Sequence, residues 1–178
     1  MAALKDTNVL YQSIGKIVVE FQQVEHIVAE VLAALLQMPH LSDTHRITAA
    51  MSYGQKIDLM CDLYPERSDP KWPLVDLQVV RNALKAAEEF RNTVVHSLWY
   101  VAGTQPNWMR TKANIRSKSR LNVVTGPVNL NALVEGAEVL YILKDWYIRE
   151  TESLSVATVR LKALTKELST ASNADEIV

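Results

Sequence analysis

The residues that could carry chemistry are concentrated between positions 88 and 99, Glu-Glu-Phe-Arg-Asn-Thr-Val-Val-His-Ser-Leu-Trp. The surrounding apolar pattern is helical. Glu88, Asn92 and His96 are spaced four residues apart, and the spacing predicts a ladder along one helix face. Arg91 follows Glu88 by three residues and flanks that ladder. The segment therefore predicts a carboxylate, a guanidinium, an amide and an imidazole gathered near one helix end.

This combination of groups suits cleavage of an RNA phosphodiester bond by internal attack of the 2′-hydroxyl. An imidazole exchanges protons near neutral pH, which fits His96 as acid or base. The planar fork of Arg91 would bind phosphate oxygens in pairs. Asn92 would orient the imidazole or donate to a phosphate oxygen, and Glu88 would support the set. The chemistry requires no metal and no cofactor.

The same spacing also has a structural interpretation. A histidine near a helix end often interacts with a carbonyl group or with the helix dipole. Arg91 and Glu88 would then be a surface ion pair that contributes less than about 1 kcal/mol to stability. Spacing alone does not decide between the two interpretations.

Charge is distributed unevenly along the chain, although the formal net charge is only −1. Residues 1–89 hold 12 acidic and 8 basic side chains, and residues 135–178 hold 8 acidic and 5 basic ones. Residues 90–134 contain no Asp or Glu and carry six cations: Arg91, Arg110, Lys112, Arg116, Lys118 and Arg120. Such a basic band steers anionic ligands even when the total charge is near zero.

The five cations of this band from Arg110 to Arg120 all fall on even positions, so they would share one face of an extended chain. We predict that this face contacts RNA phosphates, with the rings of Trp99, Tyr100 and Trp108 available to stack on bases. The alternative is a solvated hairpin whose cations protect an edge strand from aggregation, while the aromatic rings pack inward.

The first half of the chain is predicted to be helical. Apolar residues at steps of three and four predict a helix from Thr7 to about Met38, ended by Pro39. Residues 40–45 are predicted to be a loop, with Ser42 or Asp43 as the cap of the next helix. That helix covers about residues 47–64, with a possible break near Gly54. A loop rich in proline follows at residues 65–73.

A third helix is predicted from about Leu74 to Leu98, and it carries the residues of interest near its C-terminal end. Strand-forming residues and the breakers Gly103 and Pro106 then predict a small β-ribbon or an ordered loop over residues 99–126. A fourth helix begins near Asn129 or Asn131. It continues, or restarts near Ser153, and ends around Leu168.

These elements predict an all-α fold, an up-and-down bundle of four to five helices with the ribbon or basic loop inserted after the third helix. Residues 1–178 form one domain, with a core bundle at 7–168, the basic insertion at 99–126 and a flexible tail at 169–178. The single cysteine, Cys61, indicates a reducing compartment and a buried thiol. No leader segment and no apolar run long enough for a bilayer is evident, so the expected location is cytoplasmic, without a membrane partner.

The motif resembles the signature of the HEPN superfamily, the higher eukaryote and prokaryote nucleotide-binding domain. That signature is an arginine, usually followed by a polar residue, and a histidine after four to six intervening positions. Arg91, Asn92 and His96 match it, with four residues intervening. The family's bundle of four or five helices also places the motif near the end of the third long helix. A toxin subgroup has a tyrosine two residues after the histidine, where this chain has Leu98, so the resemblance does not extend to that subgroup.

The resemblance implies a metal-independent endoribonuclease of the kind found in toxin–antitoxin, phage-defence and RNA-processing systems. It also implies a homodimer in which both subunits line one cleft, with an antitoxin protein as a possible partner. Arg91 and His96 would be catalytic and Asn92 would support them. Because some members have no demonstrated cleavage, a non-catalytic module that binds RNA or protein is the alternative. A purely structural or antitoxin-like partner is the third.

Overall fold

The computed structural model describes residues 2–68, 76–102, 107–114 and 122–170. The α-helices in chain order are α1 (Ala2–Leu36), α2 (Leu41–Ala50), α3 (Tyr53–Arg67), α4 (Leu77–Val95), α5 (Leu130–Leu143) and α6 (Thr151–Ser169). The strands are β1 (Leu98–Ala102), β2 (Asn107–Asn114) and β3 (Asn122–Pro127), and a 3-10 turn covers Trp146–Ile148. The prediction of an all-α bundle with a small β insertion is confirmed.

Four helices form the bundle. α1 packs against α5 and α4, and α6 packs against α4 and α5, so the four helices surround a common core. α3 lies across α1 and α4, and α2 contacts α1. The largest fully buried side chains include Phe21 on α1, Ile57 on α3, Phe90 on α4 and Leu140 on α5. Burial of this continuous apolar core is the main source of stability.

The second predicted helix is in fact two helices. α2 begins at Leu41, so the prediction of a loop at residues 40–45 was wrong. Its N-cap is His40, without a side-chain hydrogen bond, and neither Ser42 nor Asp43 is the cap. The chain breaks before Gly54, where Ser52 and Gln55 form a capping box. The Ser52 hydroxyl accepts from the Gln55 N–H at 3.3 Å and the Gln55 side chain accepts from the Ser52 N–H at 2.8 Å, which satisfies two donors at the start of α3.

α3 and α4 have boundaries that their cap residues explain. α3 continues through Pro65 to Arg67, further than predicted, although Pro65 has no N–H to donate to the carbonyl four residues earlier. Residues 69–75, which hold the rest of the predicted loop and the predicted start of the third helix, lie outside the described residues. α4 starts after Asp76, whose carboxylate accepts the N–H groups of Gln78 and Val79. α4 ends at Val95, with His96 as its C-cap, somewhat earlier than the predicted end at Leu98.

The insertion after α4 is a three-stranded antiparallel sheet in the order β1-β2-β3. Leu98 pairs with Thr111 across β1 and β2, and Thr111 pairs with Thr125 across β2 and β3. The two threonine hydroxyls are 2.9 Å apart and share a hydrogen bond. Residues 103–106 and 115–121 lie outside the described residues. The strand interpretation of this segment is therefore confirmed for the parts that the structure describes.

The last two helices follow the prediction closely. Asn129 caps α5 by accepting the N–H of Asn131 at 3.0 Å. After the 3-10 turn the chain restarts as α6 at Thr151 and ends at Ser169. The predicted tail beyond residue 170 lies outside the described residues. Within the part of the chain that is described, no helix is both long and apolar enough to cross a bilayer.

Candidate functional site at the C-terminal half of α4

Arg91 lies on the side of α4 that faces α1. Its guanidinium carbon is 4.4 Å from the centroid of the Phe21 ring, a cation–π contact. The side chain is half-buried. Among the described residues, no carboxylate lies within ion-pair distance of its nitrogen atoms. Among the described residues, the N–H donors of this guanidinium make no hydrogen bond, so they are left for another acceptor.

A group of polar residues from three helices surrounds Arg91. Glu88 on α4, Tyr53 on α3 and Glu25 on α1 all interact electrostatically with one another, and Arg91 acts on both Tyr53 and Glu88. Tyr53 is 4% exposed, and its hydroxyl oxygen is buried without a hydrogen-bond partner among the described residues. Lys56, also buried, donates to Glu25 at 2.9 Å. Sequence spacing identified only Glu88 and Arg91, because the other three residues arrive through tertiary packing.

Burial raises the pKa values of two members of this cluster, Tyr53 and Glu88. Loss of solvation raises the pKa of Tyr53. The negative charges of Glu88 and Glu25 raise this pKa further, and Arg91 opposes the shift. Burial likewise raises the pKa of Glu88, with Arg91 opposing and Glu25 adding to the increase. Shifted titratable groups of this kind are concentrated at functional sites. Tyr53 and Glu88 are thus two neighbouring groups beside the motif whose pKa values are both raised.

His96 is the C-cap residue of α4 and its side chain is exposed. Its backbone N–H donates to the carbonyl of Asn92 at 3.2 Å. In the part of the chain that the structure describes, the imidazole has no hydrogen-bond or ion-pair partner. Asn92 is half-buried, one helical turn before His96. The imidazole is therefore open to solvent and to a ligand.

Arg91 and His96 do not meet directly within one chain. They are five positions apart, with four residues between them. In an α-helix this corresponds to a rise of about 7.5 Å and a rotation of about 140°. Glu88, Asn92 and Val95 lie in the arc between them, and Val95 is 40% exposed. The motif residues therefore span an arc of α4 that runs from the half-buried Arg91, beside α1, to the exposed His96.

Arg110 was predicted to contact RNA, but it is 3% exposed. Its guanidinium donates to the carbonyl of Thr93 at 3.1 Å and to the hydroxyl of Ser97 at 3.1 Å. A cation in this position satisfies a carbonyl at the C-terminus of α4 and interacts favourably with the helix dipole. Arg110 therefore joins the sheet to the helix. The prediction that it contacts RNA is corrected, and its role is structural.

Lys112, two residues further along β2, points to the same helix end. Its ammonium donates to the Thr93 hydroxyl at 3.2 Å and remains partly exposed. Burial and the neighbouring Arg110 lower the pKa of Lys112, and Glu89 opposes the shift. The predicted shared face of the even-numbered cations holds for these two residues. That face is turned towards α4, so only Lys112 stays within reach of a ligand near His96.

The aromatic residues predicted to stack on bases are only partly accessible. Trp108 is 8% exposed and lies edge-on to Tyr11, so the prediction that it stacks on bases is corrected. Trp99 is half-buried and donates to the carbonyl of Val94 at 3.0 Å. Tyr100 remains 36% exposed. The predicted RNA contacts Arg116, Lys118 and Arg120 lie outside the described residues.

Other residues considered for chemistry have different surroundings. No group of three or more His, Cys, Asp or Glu side chains that could hold a metal ion occurs among the described residues. Asp43 pairs with Arg46 on the surface of α2. Cys61 is buried on α3, and burial raises the pKa of its thiol, which disfavours the nucleophilic thiolate.

Comparison with known proteins adds no relative. No family model matches the chain, and neither the curated proteins nor the solved structures contain a significant match. The resemblance to HEPN proteins stays a prediction that depends on Arg91, Asn92, His96 and the helical architecture.

Proposed function

We propose that this protein is a metal-independent endoribonuclease of HEPN type, in which Arg91, Asn92 and His96 act on the scissile phosphate. The observation that supports it best is the availability of the two charged groups. Among the described residues, the imidazole of His96 is exposed without a partner, and the guanidinium of Arg91 has no carboxylate in ion-pair distance. A surface ion pair, the structural interpretation of Arg91, is therefore not supported.

The proposed reaction is internal transfer at phosphorus. The 2′-oxygen attacks the phosphorus atom, the bond from phosphorus to the 5′-oxygen breaks, and protonated His96 supplies a proton to that oxygen. Arg91 stabilises the extra negative charge on the phosphoryl oxygens, an effect that is strongest where water is partly excluded. The products are a 2′,3′-cyclic phosphate and a free 5′-hydroxyl.

The proposal includes a homodimer and places the enzyme in a toxin–antitoxin or defence context. Val95 and Leu98 are 40% and 66% exposed and lie on either side of His96 in sequence. Removing such apolar side chains from water favours association. A second copy, or an antitoxin protein, would cover them beside the motif.

Cleavage of single-stranded RNA in EDTA tests the proposal. We expect products with 2′,3′-cyclic phosphate ends from the wild-type protein and none from His96→Ala, which should remain folded because the side chain is exposed. His26→Ala is the matched control, since His26 is an exposed histidine on α1. Absence of cleavage from varied RNA pools, or full activity of His96→Ala, would contradict the proposal.

The second candidate is a non-catalytic helical module that binds RNA or a protein. Its protein-binding form is favoured by the exposed apolar side chains of Val95 and Leu98 beside the motif. This candidate predicts RNA binding that weakens with salt and with neutralisation of Arg116, Lys118 and Arg120, without turnover. Binding that is indifferent to those substitutions would exclude its RNA-binding form.

A further inference from the structure

α4 presents three polar groups in series, of which Glu88 and Asn92 are half-buried and His96 is exposed. Glu88, Asn92 and His96 follow one another by four residues, so each step rises about 6 Å and turns about 40°. Asn92 is the middle group, with a carboxyl group one turn before it and an imidazole one turn after it. A phosphate bound at Asn92 would have a proton acceptor on one side and a proton donor on the other, both from one chain.

We propose that Glu88 is the general base of the cleavage and that base and acid belong to the same subunit. The inference rests on the proposed function. The Glu88 carboxylate takes the proton of the 2′-hydroxyl as the 2′-oxygen attacks phosphorus. The bond to the 5′-oxygen breaks, and His96 gives its proton to the leaving oxygen. Proton exchange with water then restores Glu88 and His96, so no other reactant is consumed.

Glu88 fits this role better than the carboxylates around it. Glu25 is held by Lys56 at 2.9 Å. Glu89 is exposed and interacts with Lys112. Among the described residues, Glu88 makes no ion pair, and its Oε2 atom lies beside the backbone of Gly54 at the start of α3. In the described cluster around Arg91, Glu88 is thus a half-buried carboxylate without an ion pair.

The surroundings of Glu88 favour proton uptake. Arg91 and Lys85 face it from α4, Glu25 from α1, and Tyr53 and Asp58 from α3. Burial raises the pKa of Glu88, the two cations oppose this, and Glu25 and Asp58 add to the increase. A carboxylate with a raised pKa is a stronger base near neutral pH than an exposed one.

Three variants test the assignment in cleavage assays with a fluorescently labelled single-stranded RNA. We expect Glu88→Gln to lower kcat/KM on the order of 100-fold and to remove the acidic limb of the pH profile, because that limb reports deprotonation of the base. Glu88→Asp should retain more activity than Glu88→Gln, since it keeps a carboxylate. Glu89→Gln makes the same chemical change on the next residue and should leave the profile unchanged.

Mixing two inactive variants tests whether the site belongs to one chain. His96→Ala and Glu88→Gln proteins carrying different tags are unfolded together, refolded and isolated as mixed dimers. With base and acid in the same subunit, neither chain of the mixed dimer is complete, and cleavage stays no faster than that of the Glu88→Gln protein alone. Recovery of activity would overturn the inference, because it would mean that the two groups come from different subunits.

The inference and the proposed function fail in different ways. If the wild-type protein cleaves RNA, His96→Ala does not, and Glu88→Gln keeps both its rate and its acidic limb, Glu88 is not the base and the proposed function survives. If neither the wild-type protein nor any variant cleaves RNA, the proposed function fails and the inference fails with it.

Discussion

The guanidinium of Arg91 lies over the ring of Phe21, with its central carbon 4.4 Å from the ring centroid. This contact connects the motif on α4 to the core of α1, where Phe21 is 1% exposed. It also places the guanidinium beside a buried aromatic ring, where a cation–π contact favours the charged group. The arginine is therefore oriented by the fold before any substrate arrives, which reduces the cost of binding a phosphate.

Replacing Arg91 with lysine should separate the positive charge from the shape of the group. Lysine keeps the charge but lacks the planar fork that covers an aromatic ring and binds two oxygens. We expect Arg91→Lys to lower kcat/KM by at least about tenfold in the RNA cleavage assay. Arg81→Lys, on the outer side of α4 beside Asp62, is the control. Equal activity of the two variants would show that only charge is required.

Arg110 should matter for stability and not for RNA affinity. Arg110→Ala leaves the Thr93 carbonyl without its charged donor, and loss of such a hydrogen bond costs about 2–3 kcal/mol. Urea denaturation measures this change in the free energy of unfolding. Arg46→Ala removes an exposed partner of Asp43 and should cost less than about 1 kcal/mol. A stable Arg110→Ala protein with weakened RNA binding would reverse our assignment.

Glu88 should make stability depend on pH in a defined direction. The pKa of its carboxyl group is raised in the folded protein, so protonation favours folding. This contribution is fully present below the ordinary pKa of glutamate and is lost as pH rises through the raised value. Glu88→Gln cannot ionise, so we expect its stability to exceed that of the wild-type protein increasingly from acidic to neutral pH.

Urea denaturation at a series of pH values measures this difference, with Glu89→Gln as the control for a changed net charge. Parallel pH dependences for the wild-type and Glu88→Gln proteins would contradict the raised pKa. A variant that is more stable yet inactive would separate catalysis from folding, because a purely structural glutamate does not stabilise the protein when it is lost.

Two helical glycines should respond in opposite ways to alanine. Gly136 on α5 lies against Phe90, and an added Cβ would overlap the Phe90 ring. Phe90 is fully buried, so we expect Gly136→Ala to destabilise the protein by about 1–3 kcal/mol. An added Cβ at Gly15 on α1 meets no other atom within 4 Å. Gly15→Ala should stabilise by about 0.5–1 kcal/mol, measured by thermal denaturation.

Much of the architecture was predictable because local signals and tertiary packing agree. The apolar period of α1, the cap at Asn129 and the change to strand-forming residues after α4 each indicated the element that forms. The errors arose where local signals competed. Residues 40–45 resembled a loop after Pro39, yet α2 forms there because tertiary packing on α1 outweighs weak local propensity.

The sequence by itself determined the ladder of Glu88, Asn92 and His96, because helical periodicity places residues four apart on one face whatever surrounds the helix. It also determined that Arg110 and Lys112 share a face, because side chains alternate along a strand. Only the tertiary structure decided where those faces point. Arg110 points inward to the end of α4. Glu88 and Arg91 are surrounded by Tyr53, Glu25 and Lys56 from other helices. The sequence could not show either arrangement, because contacts between distant segments depend on how whole helices pack and not on local spacing.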